Sequence, residues 1–235
     1  MELATIVQHP TYTKLLKFLA STACREKLLR LLQFAIRYLR FHLSFRSIGS
    51  AQLSSTLANI QQTLMISRKP LRALKPLAHF KSMVVSLADD LDDPVIKYCK
   101  VVFEFSMALY FTYDSIQWAK LLGLAPNVGN VGKTAAGWWT VALTSTLLRC
   151  ARQLWIVAYR RRNSEGKDLS ANIFKANGKV LSDTVKTVLD LSIAYSIYRG
   201  GPSKAYGNAK YEGLVALSGI FTSVIGIDEL WKALG

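Results

Sequence analysis

The feature that most constrains this chain is a stretch of 24 residues, Leu64 to Leu87, that contains no acidic residue. Its polar and apolar side chains recur with the ~3.6-residue period of a helix, so they fall on opposite faces. The polar positions, at spacings of four, three, four and three, are Arg68, Arg72, Lys75, His79 and Ser82. The apolar positions form two adjacent rows: Leu71, Leu74 and Ala78, then Leu77, Phe80, Val84 and Leu87.

This pattern has two interpretations. A basic face opposite Leu and Phe suits the interface of an anionic membrane, where apolar burial and attraction to lipid phosphates add. The same pattern is also typical of a helix that packs its apolar side on a protein core and exposes its basic side to solvent. Pro70 and Pro76 interrupt the stretch because each removes a backbone donor, so we expect the most regular helix from Leu71 or Leu77 onward.

On the membrane interpretation, the apolar side chains enter one leaflet while the basic side chains hold lipid phosphates. Insertion into one leaflet expands that leaflet alone, so many copies side by side would bend the membrane into a tubule. The predicted membrane-binding residues are Arg68, Lys69, Leu71, Arg72, Leu74, Lys75, Leu77, Phe80, Lys81 and Val84.

Positive charge is concentrated in the first third of the chain. Residues 1–88 hold 13 basic and 2 acidic side chains, whereas residues 89–235 hold 17 and 13. The first part should therefore meet an anionic partner, either phospholipid or nucleic acid. We favour phospholipid and predict no nucleic-acid partner, because the basic residues lie on amphipathic helices without a nucleic-acid motif. The predicted regions are a basic amphipathic region, 1–88, and a helical membrane region, 89–235, within one integrated unit.

The remaining segments predict helices rather than strands. No series of segments alternates with a period of two, so we predict an all-α, membrane-associated helical bundle with amphipathic N-terminal helices and an apolar C-terminal helix. Asp93 before Pro94 predicts a helix cap rather than a metal ligand. Residues 132–134 read Gly-Lys-Thr, but a phosphate-binding loop needs Gly at position 127, which is Asn127, so we predict no nucleotide site.

The apolar C-terminal helix is predicted over residues 213–232. Its uncharged part, Gly213 to Ile227, has 15 residues and would reach only about 22 Å at ~1.5 Å per residue, so its length also permits a buried core helix. We favour a short membrane span or inserted hairpin, because a row of small residues suits packing between membrane helices. That row is Gly219, Thr222, Ser223 and Gly226. Trp231 and Lys232 resemble interface anchors.

The sequence contains no recognisable catalytic or metal-binding pattern. Its three histidines are scattered and have no carboxylate three or four residues away, and its three cysteines have no CxxC spacing. We therefore predict that the protein is not an enzyme, binds neither cofactor nor metal, and resides in a reducing compartment.

Two segments resemble the fungal peroxin-11 (peroxisomal biogenesis factor 11) family. One is similar to the family pattern R-[DE]-K-x-x-R-x-x-Q-[YF], through Arg25, Glu26, Lys27, Arg30, Gln33 and Phe34. The other is similar to R-K-x-x-R-x-x-K-P-[LI], through Arg68, Lys69, Arg72, Lys75, Pro76 and Leu77. Weaker similarities are Lys186–Asp190, to the pattern K-x-x-x-D, and the C-terminal helix ending in Leu230–Lys232.

This resemblance implies a protein of the peroxisomal membrane that elongates and divides the organelle. It implies self-association to homo-oligomers and partners in the fission machinery, a dynamin-type GTPase and its membrane adaptor. It also implies an alternative role as a peroxisomal channel for metabolites. Charges within apolar helices are candidates to line such a channel, although we favour helix ends and ion pairs between helices as their role. These charges are Glu104, Asp114, Arg149, Arg152, Asp183, Lys186 and Asp190.

Overall fold

The structure, a computed structural model, describes residues 7–47, 50–89, 93–126, 129–162, 178–208 and 210–234. These residues form helices joined by turns, and none of them lies in a β-strand, which confirms the predicted all-α fold. The helices are α1 (Pro10–Ala20), α2 (Thr22–Phe45), α3 (Ala51–Ser67), the 3₁₀ turn η1 (Pro70–Arg72), α4 (Lys75–Ala88), α5 (Pro94–Leu121), α6 (Val131–Arg162), α7 (Gly178–Arg199), α8 (Pro202–Tyr206) and α9 (Tyr211–Ala233).

Prolines and one carboxylate set the boundaries around α4. Pro70 opens the 3₁₀ turn and Pro76 lies in the first turn of α4, where the missing backbone donor has no helical partner to lose. The predicted break in the Leu64–Leu87 stretch is therefore confirmed. Asp93 caps α5, since its Oδ1 accepts hydrogen bonds from the backbone nitrogens of Val95 (3.0 Å) and Ile96 (3.1 Å). The predicted cap is confirmed as well.

Contacts divide the chain into two compact units. Unit 1 comprises Met1–Arg72 and Asn208–Gly235, and unit 2 comprises Ala73–Gly207. This division differs from the expected boundary after residue 88, because α9 packs along α2 whereas α4 packs along α5. Helix α4 is thus part of the second unit, and the C-terminal helix is part of the first.

In unit 1, α2 contacts α1, α3, η1 and α9. Glycines allow a close approach of α2 and α9, since a Cβ atom at Gly219 would overlap the ring of Phe34. Gly213 faces Phe41 in the same way, and Gly226 faces Lys27. The three contacts run in opposite directions along the two helices, so α2 and α9 are antiparallel.

In unit 2, neighbouring helices pack in chain order. Helix α4 lies on α5, α5 on α6, and α6 on α7, while the short α8 folds back on α7. The buried apolar side chains of this unit include Phe111, Ala135, Ala136, Ala142, Leu143, Cys150, Ile193 and Ala194. Several of them are small, which allows the long helices to approach closely.

Candidate membrane-binding surfaces

Both units bury polar side chains and expose large apolar ones. Among the described residues, buried polar side chains outnumber buried apolar ones. Those of unit 2 are Ser86, Ser106, Asp114, Ser145, Thr146, Thr187, Asp190 and Ser196. The exposed apolar side chains of its long helices include Val102, Phe105, Val141, Leu148, Val185 and Val188. Water-soluble proteins show the opposite preference, so this distribution favours contact with lipid.

Helix α2 shows the same inversion. Its inward positions Glu26, Arg30 and Gln33 are only 3–7% exposed. Its outward positions include Leu32 and Leu39, which are 53% and 44% exposed. The helix therefore directs these three polar side chains into unit 1 and these two leucines away from it.

The inward charges of α2 belong to a cluster with the end of α3 and η1. Arg68 donates from Nε (2.9 Å) and Nη2 (2.6 Å) to Oε1 of Glu26, and from Nη1 to Oε1 of Gln33. The Nη1 atom of Arg72 lies 4.0 Å from the same Glu26 oxygen. We call Glu26, Arg30, Gln33, Arg68 and Arg72 the buried charge cluster. It ties η1 to α2.

Burial acts on the titration of this cluster. Desolvation lowers the pKa of Arg68 to about 10, while the neighbouring Glu26 carboxylate opposes this shift. Arg68 therefore stays charged at neutral pH and depends on Glu26 for compensation. Arg30 extends the cluster to α9, since its Nη2 donates to Oγ1 of Thr222 at 3.0 Å.

The structure corrects the expected position of three predicted membrane-binding residues. Arg68, Lys69 and Arg72 were expected on the lipid-facing surface, but they are buried, with 7%, 4% and 9% exposure. For Arg68 and Arg72 the physical reason is Glu26, the one carboxylate of residues 3–88, which attracts cations that would otherwise be solvated. An isolated carboxylate among many cations is the sequence signal that could have indicated the cluster, and the predicted membrane-binding surface left it out. Contact of these cations with lipid phosphates stays a prediction.

Helix α4 is oriented with its polar face inward. The Nδ1 atom of His79 lies 2.7 Å from Oε2 of Glu104 on α5, and the His79 ring stacks on Phe111 at 5.3 Å between centroids. The Nζ atom of Lys75 lies 5.1 Å from the Phe111 ring centroid, and Ser86 is 1% exposed. Of the polar row predicted from the sequence, Lys75 and His79 therefore face α5, whereas Ser82 is exposed. Arg68 and Arg72 of that row lie in the buried charge cluster instead.

The opposite face of α4 and the residue before it carry an exposed apolar row. Leu74 is 79% exposed, Leu77 71%, Phe80 58% and Val84 50%, and Lys81 is exposed beside them. The alternative that this face packs on the protein core is therefore wrong for α4. Of the other predicted membrane-binding residues, Leu71 and Lys75 are partly buried.

Helix α9 is the one helix of the described chain that is long and apolar enough to cross a membrane. Its small-residue row, Gly219, Thr222, Ser223 and Gly226, is buried, and the glycines contact α2. Its outward side carries Leu214, Phe221 and Val224, which are 49–57% exposed. The row thus lies at a helix–helix contact within one chain.

Sequence comparison identifies the family. The sequence model described as peroxisomal biogenesis factor 11 matches residues 12–231. This chain belongs to the peroxisomal biogenesis factor 11 family. Peroxisomal membrane protein PMP30B of Candida boidinii is 34% identical over 256 aligned residues, with 97% of each chain covered. Peroxisomal membrane protein PMP27 of Saccharomyces cerevisiae is 31% identical, with 97% of this chain and 98% of that protein covered.

A human relative is similar over a shorter part. Peroxisomal membrane protein 11B of Homo sapiens is 33% identical over 112 residues, which cover 48% of this chain and 42% of that protein. No solved structure matches the chain. The predicted membership of the peroxin-11 family is confirmed. The protein is a peroxisomal membrane protein, and its family serves peroxisome biogenesis.

The two signature segments of the peroxin-11 resemblance meet in the buried charge cluster. Glu26 and Gln33 come from the first segment, and Arg68 and Arg72 come from the second. Phe34, also from the first segment, fills the space left by Gly219 of α9. Several signature residues thus hold the helices of unit 1 together.

Two charges considered for a channel form contacts between helices of unit 2. Glu104 interacts with His79 of α4. Arg152 of α6 donates from Nε and Nη2 to Oδ2 of Asp93, both at 2.9 Å. The hydrogen bond from Arg152 lowers the pKa of the Asp93 carboxyl. For these residues the structure favours interhelical contacts over a channel lining.

Proposed function

We propose that this protein remodels and elongates the peroxisomal membrane by inserting α4 into one leaflet, and so promotes peroxisome proliferation and fission. The observation that carries this proposal is the exposed apolar row Leu74, Leu77, Phe80 and Val84, which no described residue of the chain covers. Such a row is stable in the head-group/acyl boundary of a membrane, about 5–10 Å below its surface.

The free energy of insertion can be estimated from these exposures. Full burial of one Leu, Phe or Val side chain contributes about 1.5–3 kcal/mol. Because the four side chains are 50–79% exposed, their insertion would contribute on the order of 4–8 kcal/mol together. Lys81 lies among them, and its attraction to an anionic surface adds about 1 kcal/mol.

The contacts of α4 with α5 explain how insertion would bend the membrane. His79 and Lys75 of α4 contact Glu104 and Phe111 of α5, so the helix is held on α5 while its apolar row enters lipid. Inserted volume then accumulates in one leaflet only. We propose that homo-oligomers concentrate this effect and that the fission machinery, a dynamin-type GTPase with its membrane adaptor, acts on the elongated membrane. The protein would work by binding and bending, without catalysis.

The test is the shape of vesicles that contain the purified protein. Leu77→Glu with Phe80→Glu places two carboxylates in the exposed row and should abolish tubulation of proteoliposomes rich in anionic phospholipid, seen by electron microscopy. The matched control is Gln52→Glu with Gln62→Glu, which adds the same charge at exposed polar positions of α3. It should tubulate like the wild type. Tubulation by the α4 variant at the wild-type level would refute insertion of α4.

A further inference from the structure

The N-terminal helix α1 is attached to the C-terminal end of α9. The Phe18 ring meets the Trp231 ring edge-on at 5.6 Å between centroids. The Nζ atom of Lys14 lies 4.8 Å from the Trp231 ring centroid. Phe18 is 4% exposed, so this side of α1 is closed against unit 1.

The other side of α1 is apolar and exposed. Tyr12, Leu15, Leu16 and Leu19 follow one another at spacings of three, one and three, which places them on one helical face. They are 36%, 42%, 51% and 43% exposed. We call these four residues the α1 apolar row. Lys14 and Lys17 lie on the opposite side of the helix, where Lys17 is exposed, and α1 contains no acidic residue.

We propose that α1 is a second membrane-binding element, which lies in the plane of the interface and binds anionic phospholipid through its apolar row and Lys17. The proposal rests on the membrane insertion of α9 but not on the insertion of α4.

Position and charge both support phospholipid as the occupant of this row. Trp231 lies in the last turn of α9, and tryptophan in membrane helices prefers the level of the head groups. Contacts of Phe18 and Lys14 with that ring hold α1 at the same depth, where its apolar row can reach the acyl chains. Lysine stems can extend from this depth to the phosphates. Helix α1 would then be a membrane contact of unit 1, in addition to the contact proposed for unit 2 through α4.

The experiment measures the depth of single positions of α1 in the full chain. Leu16→Cys and, as matched control, Thr13→Cys are labelled with an environment-sensitive fluorophore, in a background with Cys24, Cys99 and Cys150 replaced by Ala. Both positions are exposed, but Thr13 lies outside the apolar row. In anionic proteoliposomes, we expect nitroxide lipids to quench the label at position 16 and not the label at position 13.

A second variant tests the electrostatic part. Lys17→Gln should lower the equilibrium constant for insertion of α1, read from the quenching at position 16, by about fivefold. One lysine near an anionic surface contributes about 1 kcal/mol, which corresponds to about that factor. The protein that retains Lys17 should show the same drop when neutral lipid replaces the anionic lipid of the vesicles. Insertion that is insensitive to both changes would overturn the role of charge.

Three outcomes would overturn the insertion of α1 itself. The first is equal quenching of the labels at positions 16 and 13. The second is quenching of neither label in a protein that resists extraction by carbonate. A blue-shifted label at 16 that lipid nitroxides do not quench, and whose shift grows with protein density, would show that a second copy covers the row. Release of the whole protein by carbonate would instead contradict the membrane insertion of α9, and with it this proposal, while the insertion of α4 would still be decided by the tubulation test.

Discussion

Replacement of Glu26 by Gln tests the buried charge cluster. The carboxylate is 3% exposed and accepts two hydrogen bonds from Arg68, and Arg72 lies 4.0 Å away. Gln keeps the size of the side chain and removes its charge, so the buried guanidinium of Arg68 loses its compensation. Breaking a buried ion pair by removal of one partner costs about 3–5 kcal/mol. We expect the free energy of unfolding of Glu26→Gln to fall by that amount.

The assay combines a global and a local measurement in detergent micelles. Urea unfolding followed by circular dichroism gives the change in free energy. The rate of thiol labelling reports on the site itself, because Cys24 lies two residues away and is 1% exposed. Its labelling should accelerate in the variant.

The matched control removes a carboxylate from α9 at the surface. Asp228 forms a pair with Lys232 at 2.6 Å, and its side chain is 54% exposed. Exposed helical pairs of this spacing contribute about 0.3–0.5 kcal/mol, so Asp228→Asn should unfold almost like the wild type. A loss for Glu26→Gln no larger than that of the control would refute the argument. The double variant Glu26→Gln with Arg68→Met removes both charges of the pair, so its free energy of unfolding should be higher than that of Glu26→Gln alone. A double variant that is no more stable than Glu26→Gln would also refute the argument.

Two further predictions concern helix packing and pH. Gly219→Ala should reduce the free energy of unfolding in urea by about 1–3 kcal/mol, because its Cβ would overlap the Phe34 ring, whereas Gly178→Ala, with nothing within 4 Å, should change it little. The pKa of Asp93 is lowered in the folded protein, mainly by the hydrogen bond from Arg152. This bond therefore stabilises the fold fully at pH values above the ordinary carboxyl pKa, and its contribution is lost as the pH falls through the lowered pKa. Thermal unfolding from pH 5 downward should therefore depend less on pH for Asp93→Asn than for the wild type, and equal pH dependence would contradict this assignment.

The sequence was sufficient to predict α4 and the break before it, but not the residue at which α4 begins or the orientation of the helix. The helical period and the two prolines are local properties, so they predict the helix and its break without knowledge of the rest of the chain. Which face turns inward depends on partners far away in sequence. The polar face is held by Glu104, which lies 25 residues from His79, and no local pattern indicates that contact.

The same reason explains the buried charge cluster. Glu26 and Arg68 are 42 residues apart, so each looks like a surface charge of its own amphipathic helix. Sequence periodicity separates polar from apolar faces, but it does not say which solvent each face meets. In a membrane protein the inference from face to environment reverses, because lipid accepts the apolar face and the protein interior must satisfy the polar one.

The burial of cations changes the estimate of electrostatic attraction to the membrane. Of the 13 basic side chains in residues 1–88, four are exposed: Lys17, Arg25, Arg46 and Lys81. At about 1 kcal/mol for each exposed cation that lies near an anionic surface, these four would contribute at most about 4 kcal/mol. Apolar insertion of α4, estimated above at a similar size, is therefore at least as important as charge. Membrane binding by this chain should accordingly keep much of its strength at salt concentrations that screen the exposed lysines and arginines.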